Sequence, residues 1–173
     1  MQKFELLSTI ESLFWENAFS DLSMDMIAEK LGIKKPSLYY HFPSKEAMFL
    51  AVLEQSVERY QIFLEQTLQI QDIDHMISEL ILFPLREKNL FAIVSQKGYC
   101  QIDEIREFIR SKNREFEERR ESIFQGRYGW SKARTNIFCS LVEGLSKRAC
   151  LEHCEGEKKE EMIGEIRKLF FTA

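Results

Sequence analysis

The sequence predicts an all-α protein, and three observations carry that prediction. Apolar residues recur at spacings of three and four along most of the chain, the period of a helix with one buried face. Only 7 Gly and 3 Pro punctuate 173 residues, too few for the many turns of a β protein. No alternating run rich in Val, Ile or Thr and bounded by glycine stands out. A content of 45% hydrophobic and 30% charged residues is that of a chain that buries a core, which argues against long-range disorder.

The elements justify themselves in order. Residues 3–17 place Phe4, Leu7, Ile10, Leu13 and Phe14 on one face of an amphipathic helix, and Asn17 can end it in a left-handed conformation. Phe19 and Leu22 then turn the chain back into a small core. Ser23 is a good N-cap for a second helix, with Asp25 at the positive end of its dipole. Met26, Ile27 and Leu31 are its expected buried side, and Ala28 leaves room for a close neighbour. Gly32 suits the left-handed turn that stops this helix. Pro36 fits the first turn of a third helix, where its missing N–H costs nothing. Leu38 and Phe42 face inward from it, so Lys35, Ser37, Tyr39, Tyr40 and His41 are left outside or along the flanks. Leu22–Lys45 thus has the layout of a helix-turn-helix whose second helix can enter a DNA major groove.

Ser44 caps a long helix to about Leu68, with Glu46 in its first turn and Phe49, Val52, Leu53, Val57, Tyr60, Phe63 and Leu64 on its apolar face. A helix is expected from Ile73 to about Leu85, kinked or ended by Pro84. A short one carries Leu90, Phe91 and Val94 and ends near Gly98, and a long one runs from Ile102 to about Phe124. The run GRYGWS, with Gly126 and Gly129, reads as the clearest loop. Helices over 131–153 and 157–171 close the chain. Their stripes, Phe138, Leu141, Val142 and Leu145 on one and Ile163, Ile166, Leu169 and Phe170 on the other, are the expected dimer interface, half of a four-helix bundle completed by a second copy.

Charge is less suggestive. The net charge is −4, and residues 1–47 hold five Lys, no Arg and seven acids, or −2. Basic residues gather only between Lys34 and Lys45, so any binding to nucleic acid must rest on a local patch used twice. The first residues lack the charged head and cleavage site of a signal peptide, and no apolar run approaches the ~20 residues that span a bilayer. Cys100, Cys139, Cys150 and Cys154 do not have a disulfide-framework spacing. A cytoplasmic, reduced protein away from the membrane is the expectation.

The segment IAEKLGIKKPSLYYHFPSKEAM, with LFWENAFSDLSMDM before it, resembles the DNA-binding segment of the TetR family of bacterial transcriptional regulators. The Ile-Ala pair, the Leu-Gly-Ile turn, Ser-Leu-Tyr, His-Phe and Ser-Lys-Glu fall in that family's order over about the first 50 residues. One departure is Ala18, where the family usually has glycine before the aromatic. The resemblance implies a helix-turn-helix DNA-binding domain over residues 1–47 and a helical effector-binding and dimerisation domain over 48–173. It also implies contacts position by position. Ser23 and Met24 reach phosphate or a base edge, and Lys34 and Lys35 reach phosphate or guanine. Pro36 and Ser37 come close to bases, Tyr39, Tyr40 and His41 hold phosphates or touch bases, and Lys45 contacts phosphate. The partners implied are a double-stranded palindromic operator, a second copy of the chain, and a small-molecule inducer that releases a repressor.

Phe63, Phe83, Phe91, Tyr99, Phe108, Phe116 and Phe138 are candidates to line a pocket for an apolar or aromatic effector, set against the plainer reading that each is simply core. Cys150, His153 and Cys154 share a helix face and suggest a metal- or thiol-redox-sensing regulator, although three ligands from one helix do not close a tetrahedral site. No metal and no cofactor is expected. With no phosphate loop, metalloprotease helix or nucleophile elbow, the chain is not read as an enzyme. The competing class is a helical dimer whose head binds a protein partner in place of DNA.

Overall fold

A computed structural model describes residues 3–86, 102–152 and 156–171, and the regular structure among them is all helical. In chain order it comprises α1 (Lys3–Glu16), a 3-10 turn (Phe19–Asp21), α2 (Met24–Lys30), α3 (Lys35–His41), α4 (Lys45–Thr67), α5 (Ile73–Arg86), α6 (Asp103–Tyr128), α7 (Lys132–Glu152) and α8 (Glu157–Phe171). The short helix expected near residues 90–98 lies outside the described residues. The chain forms two compact units, Met1–Arg59 with Asn89–Lys112, and Tyr60–Lys88 with Asn113–Ala173.

The first unit is built around α1. Leu6, Leu7, Ile10, Leu13 and Phe14 line its inner face and meet Ile27 and Ala28 of α2, Leu38 of α3, Phe42, and Met48, Phe49, Val52 and Leu53 of α4. Ile105 of α6 completes this core, with Phe108 and Ile109 packed against it. The domain boundary expected at residue 47 therefore falls inside α4, just before four residues that this core buries. The end of α1 is capped by Asn17, whose backbone N–H and side-chain Nδ2 both donate to the Leu13 carbonyl, at 3.2 and 2.8 Å. Ala18 has φ −64° and ψ 146°, an ordinary conformation for alanine, so nothing in the backbone there demands glycine.

Among the described residues, Glu11 and Ser56 are polar side chains buried in this unit. Glu11 of α1 accepts from Arg59 Nη2 at 2.6 Å and from Ser56 Oγ at 3.4 Å. A carboxylate taken out of water needs such partners, and the pair ties α1 to α4.

In the second unit α5 packs against α7 and α8. Its core takes Leu68, then Met76, Ile77 and Ile81 of α5, Phe124 of α6, Trp130 of the turn before α7, Phe138 and Val142 of α7, and Ile163, Ile166 and Phe170 of α8. Phe124, Trp130, Phe138 and Phe170 form a ring cluster with centroids 5.0–5.7 Å apart, suited to offset and edge-to-face contact. Arg127 donates to the Leu68 and Ile70 carbonyls at 2.8 and 2.6 Å, satisfying acceptors at the end of α4 and just beyond.

One local expectation is met in this unit and one is corrected. α5 spans Ile73–Arg86, against the expected Ile73 to about Leu85, and its last turn holds Pro84. The proline's missing N–H deprives the Leu80 carbonyl of its usual donor, and the buried Ser146 hydroxyl of α7 donates there at 3.2 Å. Gly126 is not in a loop but inside α6, which runs on to Tyr128; the turn is made by Gly129 alone, at φ +66°. A glycine can lie within a helix, and only the left-handed position needs one.

Candidate functional site

The short helices α2 and α3 owe their limits to local chemistry. Ser23 Oγ accepts the Met26 N–H at 3.2 Å, capping α2. Gly32, at φ +65°, reverses the chain, with its own N–H bonded to the Glu29 carbonyl and that of Ile33 to Ala28. α3 opens with Pro36 in its first turn and Lys34 as an extended residue before it. Leu38 and Phe42 are buried and anchor α3, as their spacing predicts. Ser44 Oγ accepts the Ala47 N–H at 3.1 Å and starts α4.

With α3 fixed by Leu38, the residues between its buried positions are presented outward. Lys34, Lys35, Pro36, Ser37, Tyr39 and Tyr40 are exposed, Tyr40 to 86%, and Ser23 at the head of α2 is exposed beside them. His41 is half-buried, its ring 5.2 Å from that of Tyr40. Met24 is half-buried against the core, while Met26, expected inside, is 46% exposed. The inward face of α2 runs through Met24, Ile27, Ala28 and Leu31, and Met26 sits one position off it.

Two lysines have partners that sequence reading did not foresee. Lys35 Nζ reaches both carboxylate oxygens of Asp25 at 2.8 Å, an exposed bridge between α3 and α2. The hydrogen bond to Asp25 raises the Lys35 ammonium above its ordinary range, so the lysine stays charged. Lys45 donates to the Phe19 and Leu22 carbonyls, both at 2.7 Å. Asp25 lies ten residues before Lys35, too far for any helical spacing to suggest the pair.

The seven rings offered as pocket lining divide. Phe63, Phe83 and Phe116 come together, with Phe63 and Phe83 stacked at 4.2 Å. Tyr60 joins them, 4.9 Å from Phe83 and 5.1 Å from Phe116. It was missed as a lining residue, although its place three residues before Phe63 on the same helix was the signal. Phe108 belongs instead to the core of the first unit, and Phe138 to the Trp130 ring cluster. Phe91 and Tyr99 lie outside the described residues. Beside Tyr60 and Phe116 opens a cleft of about 210 Å³ whose other walls are Asn113, Glu117, Arg120 and Glu143, so it is more polar than the rings alone suggest. Burial pushes the Tyr60 hydroxyl up from its ordinary range, and the nearby Cys139 thiol up to about 11, which leaves that thiol protonated and unreactive at neutral pH.

The expected dimer stripe also changes meaning. Phe138, Val142, Ile163, Ile166 and Phe170 are buried in the chain's own core, and Leu141 and Leu145 pack against it. Of the eight, only Leu169 is exposed, to 66%. Among the described residues of α7, the large apolar side chain that is exposed is Ile137, at 62%. The Cys150, His153 and Cys154 side chains are outside the described residues. Among the described residues no three metal-ligating groups converge, and no helix is long and apolar enough to cross a membrane.

Residues 6–52 match the sequence model described as "Bacterial regulatory proteins, tetR family". The HTH-type transcriptional regulator EthR of Mycobacterium tuberculosis is 37% identical over 60 residues, which is 35% of this chain and 28% of EthR, so the match spans under a third of that relative. Over nearly the whole chain the fold is that of Salmonella enterica GusR, with a TM-score of 0.77, 18% identity, and coverage of 98% of this chain and 95% of that one. It is also that of AibR, crystallised with isovaleryl coenzyme A and operator DNA, with a TM-score of 0.70, 19% identity and 96% of each chain covered. Through residues 6–52, with their capped helix-turn-helix and outward-facing α3, the chain is similar to the TetR family of bacterial regulatory proteins.

Proposed function

We propose that this protein is a DNA-binding transcriptional regulator, a repressor that holds a palindromic operator as a homodimer and lets go when a small molecule binds. The observation that carries the reading is α3, held from below by Leu38 while Lys34, Lys35, Ser37, Tyr39 and Tyr40 face outward. Its lysines suit phosphates and guanine, Ser37 a base edge, and the tyrosine hydroxyls phosphate oxygens. Two copies of α3 would enter successive major grooves about 10 bp apart, or a multiple of that. One head, at a net −2 over residues 1–47, binds weakly, which is why the reading requires a pair.

Residues 1–47 are read as the DNA-binding part and the remainder as the effector-binding and dimerisation part. Ile137 and Leu169, large and exposed on α7 and α8, support pairing through the last two helices. The cleft floored by Tyr60 and Phe116 is the proposed effector site, and its charged walls favour an effector with an aromatic or apolar body and a polar end. AibR, of the same fold, takes a coenzyme A thioester, which supports a small molecule as the signal. An effector releases DNA only to the extent that it binds one conformation more tightly than the other. The protein is read as a cytoplasmic regulator and not as an enzyme.

A second reading, a head that binds a protein partner, is favoured by the same net −2. Sequencing DNA fragments captured by the purified protein separates the two. The regulator reading expects a recurrent palindrome whose binding weakens steeply as salt rises. Capture of no sequence above background would end it.

A further inference from the structure

Lys45 is the first residue of α4, and its ammonium lies where the turn before α2 converges. It donates to the carbonyls of Phe19 and Leu22, at 2.7 Å each, and sits 4.1 Å from the centre of the Phe19 ring. That ring is itself fixed, stacked on Phe14 at 5.9 Å and edge-on to Phe49 at 5.4 Å. The carbonyls belong to the first residue of the 3-10 turn and to the residue just before Ser23, the cap of α2. α2 has seven residues, too few to set its own direction, so its entry angle depends on what holds the turn.

An ammonium has three N–H donors and no rotational preference among acceptors. Two of the three are committed here to short, charge-assisted bonds, about twice as strong as neutral ones. Leaving them to reach a phosphate would unpair two carbonyls in a half-buried turn. We infer that Lys45 is a positioning residue: by clamping the Phe19 and Leu22 carbonyls beneath its ammonium it sets the entry of α2, and with it Ser23 and Met24, in place of binding phosphate itself. This rests on the DNA-binding reading of the head.

The test uses the full chain, a DNA fragment it has selected, and a scrambled fragment of equal length, titrated from 50 to 200 mM KCl. Lys45→Met removes the charge and keeps much of the stem; Lys45→Arg keeps the charge but replaces the compact ammonium with a planar fork. Both are measured where their far-UV circular dichroism matches the parent. A clamp predicts that the preference for selected over scrambled DNA falls about tenfold in both variants, the size of one lost base contact. The salt slope then stays that of the parent. A phosphate contact predicts the converse: a slope reduced by about 0.9 in Lys45→Met, with Lys45→Arg close to the parent. That result, or an unchanged preference in both variants, overturns the inference. If Lys45→Met does not fold, Lys45→Arg decides alone, since parent-like preference with the charge kept is incompatible with a clamp. A parent that selects no DNA ends the regulator reading and the inference together, whereas a selective parent with unaffected variants ends the inference only.

Discussion

Leu38 and Tyr40 stand two positions apart on α3 and have opposite surroundings. Leu38 is fully buried under the helix, and Tyr40 projects into solvent. Truncating Leu38 to alanine leaves a cavity in a small core and should cost about 2–5 kcal/mol, read as a fall in the urea midpoint. Tyr40→Ala should change stability by under about 0.5 kcal/mol yet weaken binding to a selected DNA fragment at least tenfold. Equal DNA affinity for Tyr40→Ala and the parent would remove this tyrosine from the interface. At the same scale, sequence reading went astray where a side chain's partner is remote in sequence. Lys34 and Ser37 could be placed from their positions on a short capped helix, but the bonds from Lys35 to Asp25 and from Lys45 to two carbonyls depend on folding first.

Among elements, legibility followed the range of the interaction that sets each boundary. Ser23, Gly32, Pro36 and Ser44 act on backbone groups within a turn of themselves, and each was readable as a cap or stop. Pro84 was readable as standing near the end of α5, but how its lost hydrogen bond is made good was not, because the carbonyl it orphans is satisfied by Ser146, 66 residues away. Ser146→Ala should therefore destabilise the second unit by about 1–2 kcal/mol, since the Leu80 carbonyl would be buried with neither its helical donor nor the hydroxyl. The double variant Ser146→Ala with Pro84→Ala restores the N–H and should recover most of that loss in urea unfolding. No recovery would mean that the hydroxyl matters for some reason other than the proline.

For the whole molecule, the apolar stripes of α7 and α8 were legible as stripes but not as to what they meet. A period of three to four says that a face is buried and is silent on whether the neighbour is α5 of the same chain or a second copy. Ile166, 2% exposed, faces its own core, so Ile166→Asp should unfold the second unit. Ile137→Glu with Leu169→Lys leaves that core untouched. In sedimentation velocity this pair should convert a dimer into a folded monomer and lose selected-DNA binding with it. A dimer that survives both changes would put the interface on another face.

The division between the two units falls within α4, between Arg59 and Tyr60, and again within α6, between Lys112 and Asn113. This bears on anyone wishing to exchange the helix-turn-helix unit between proteins of this fold. A graft joined at residue 47 would carry α3 into its new host but leave behind Met48, Phe49, Val52, Leu53 and Ile105, which share its core. The host would have to supply residues of matching shape on two of its own helices. The helix-turn-helix of this chain is thus not a detachable cassette, and a chimaera that ignores the seam would inherit the letters of the head without the floor on which they stand.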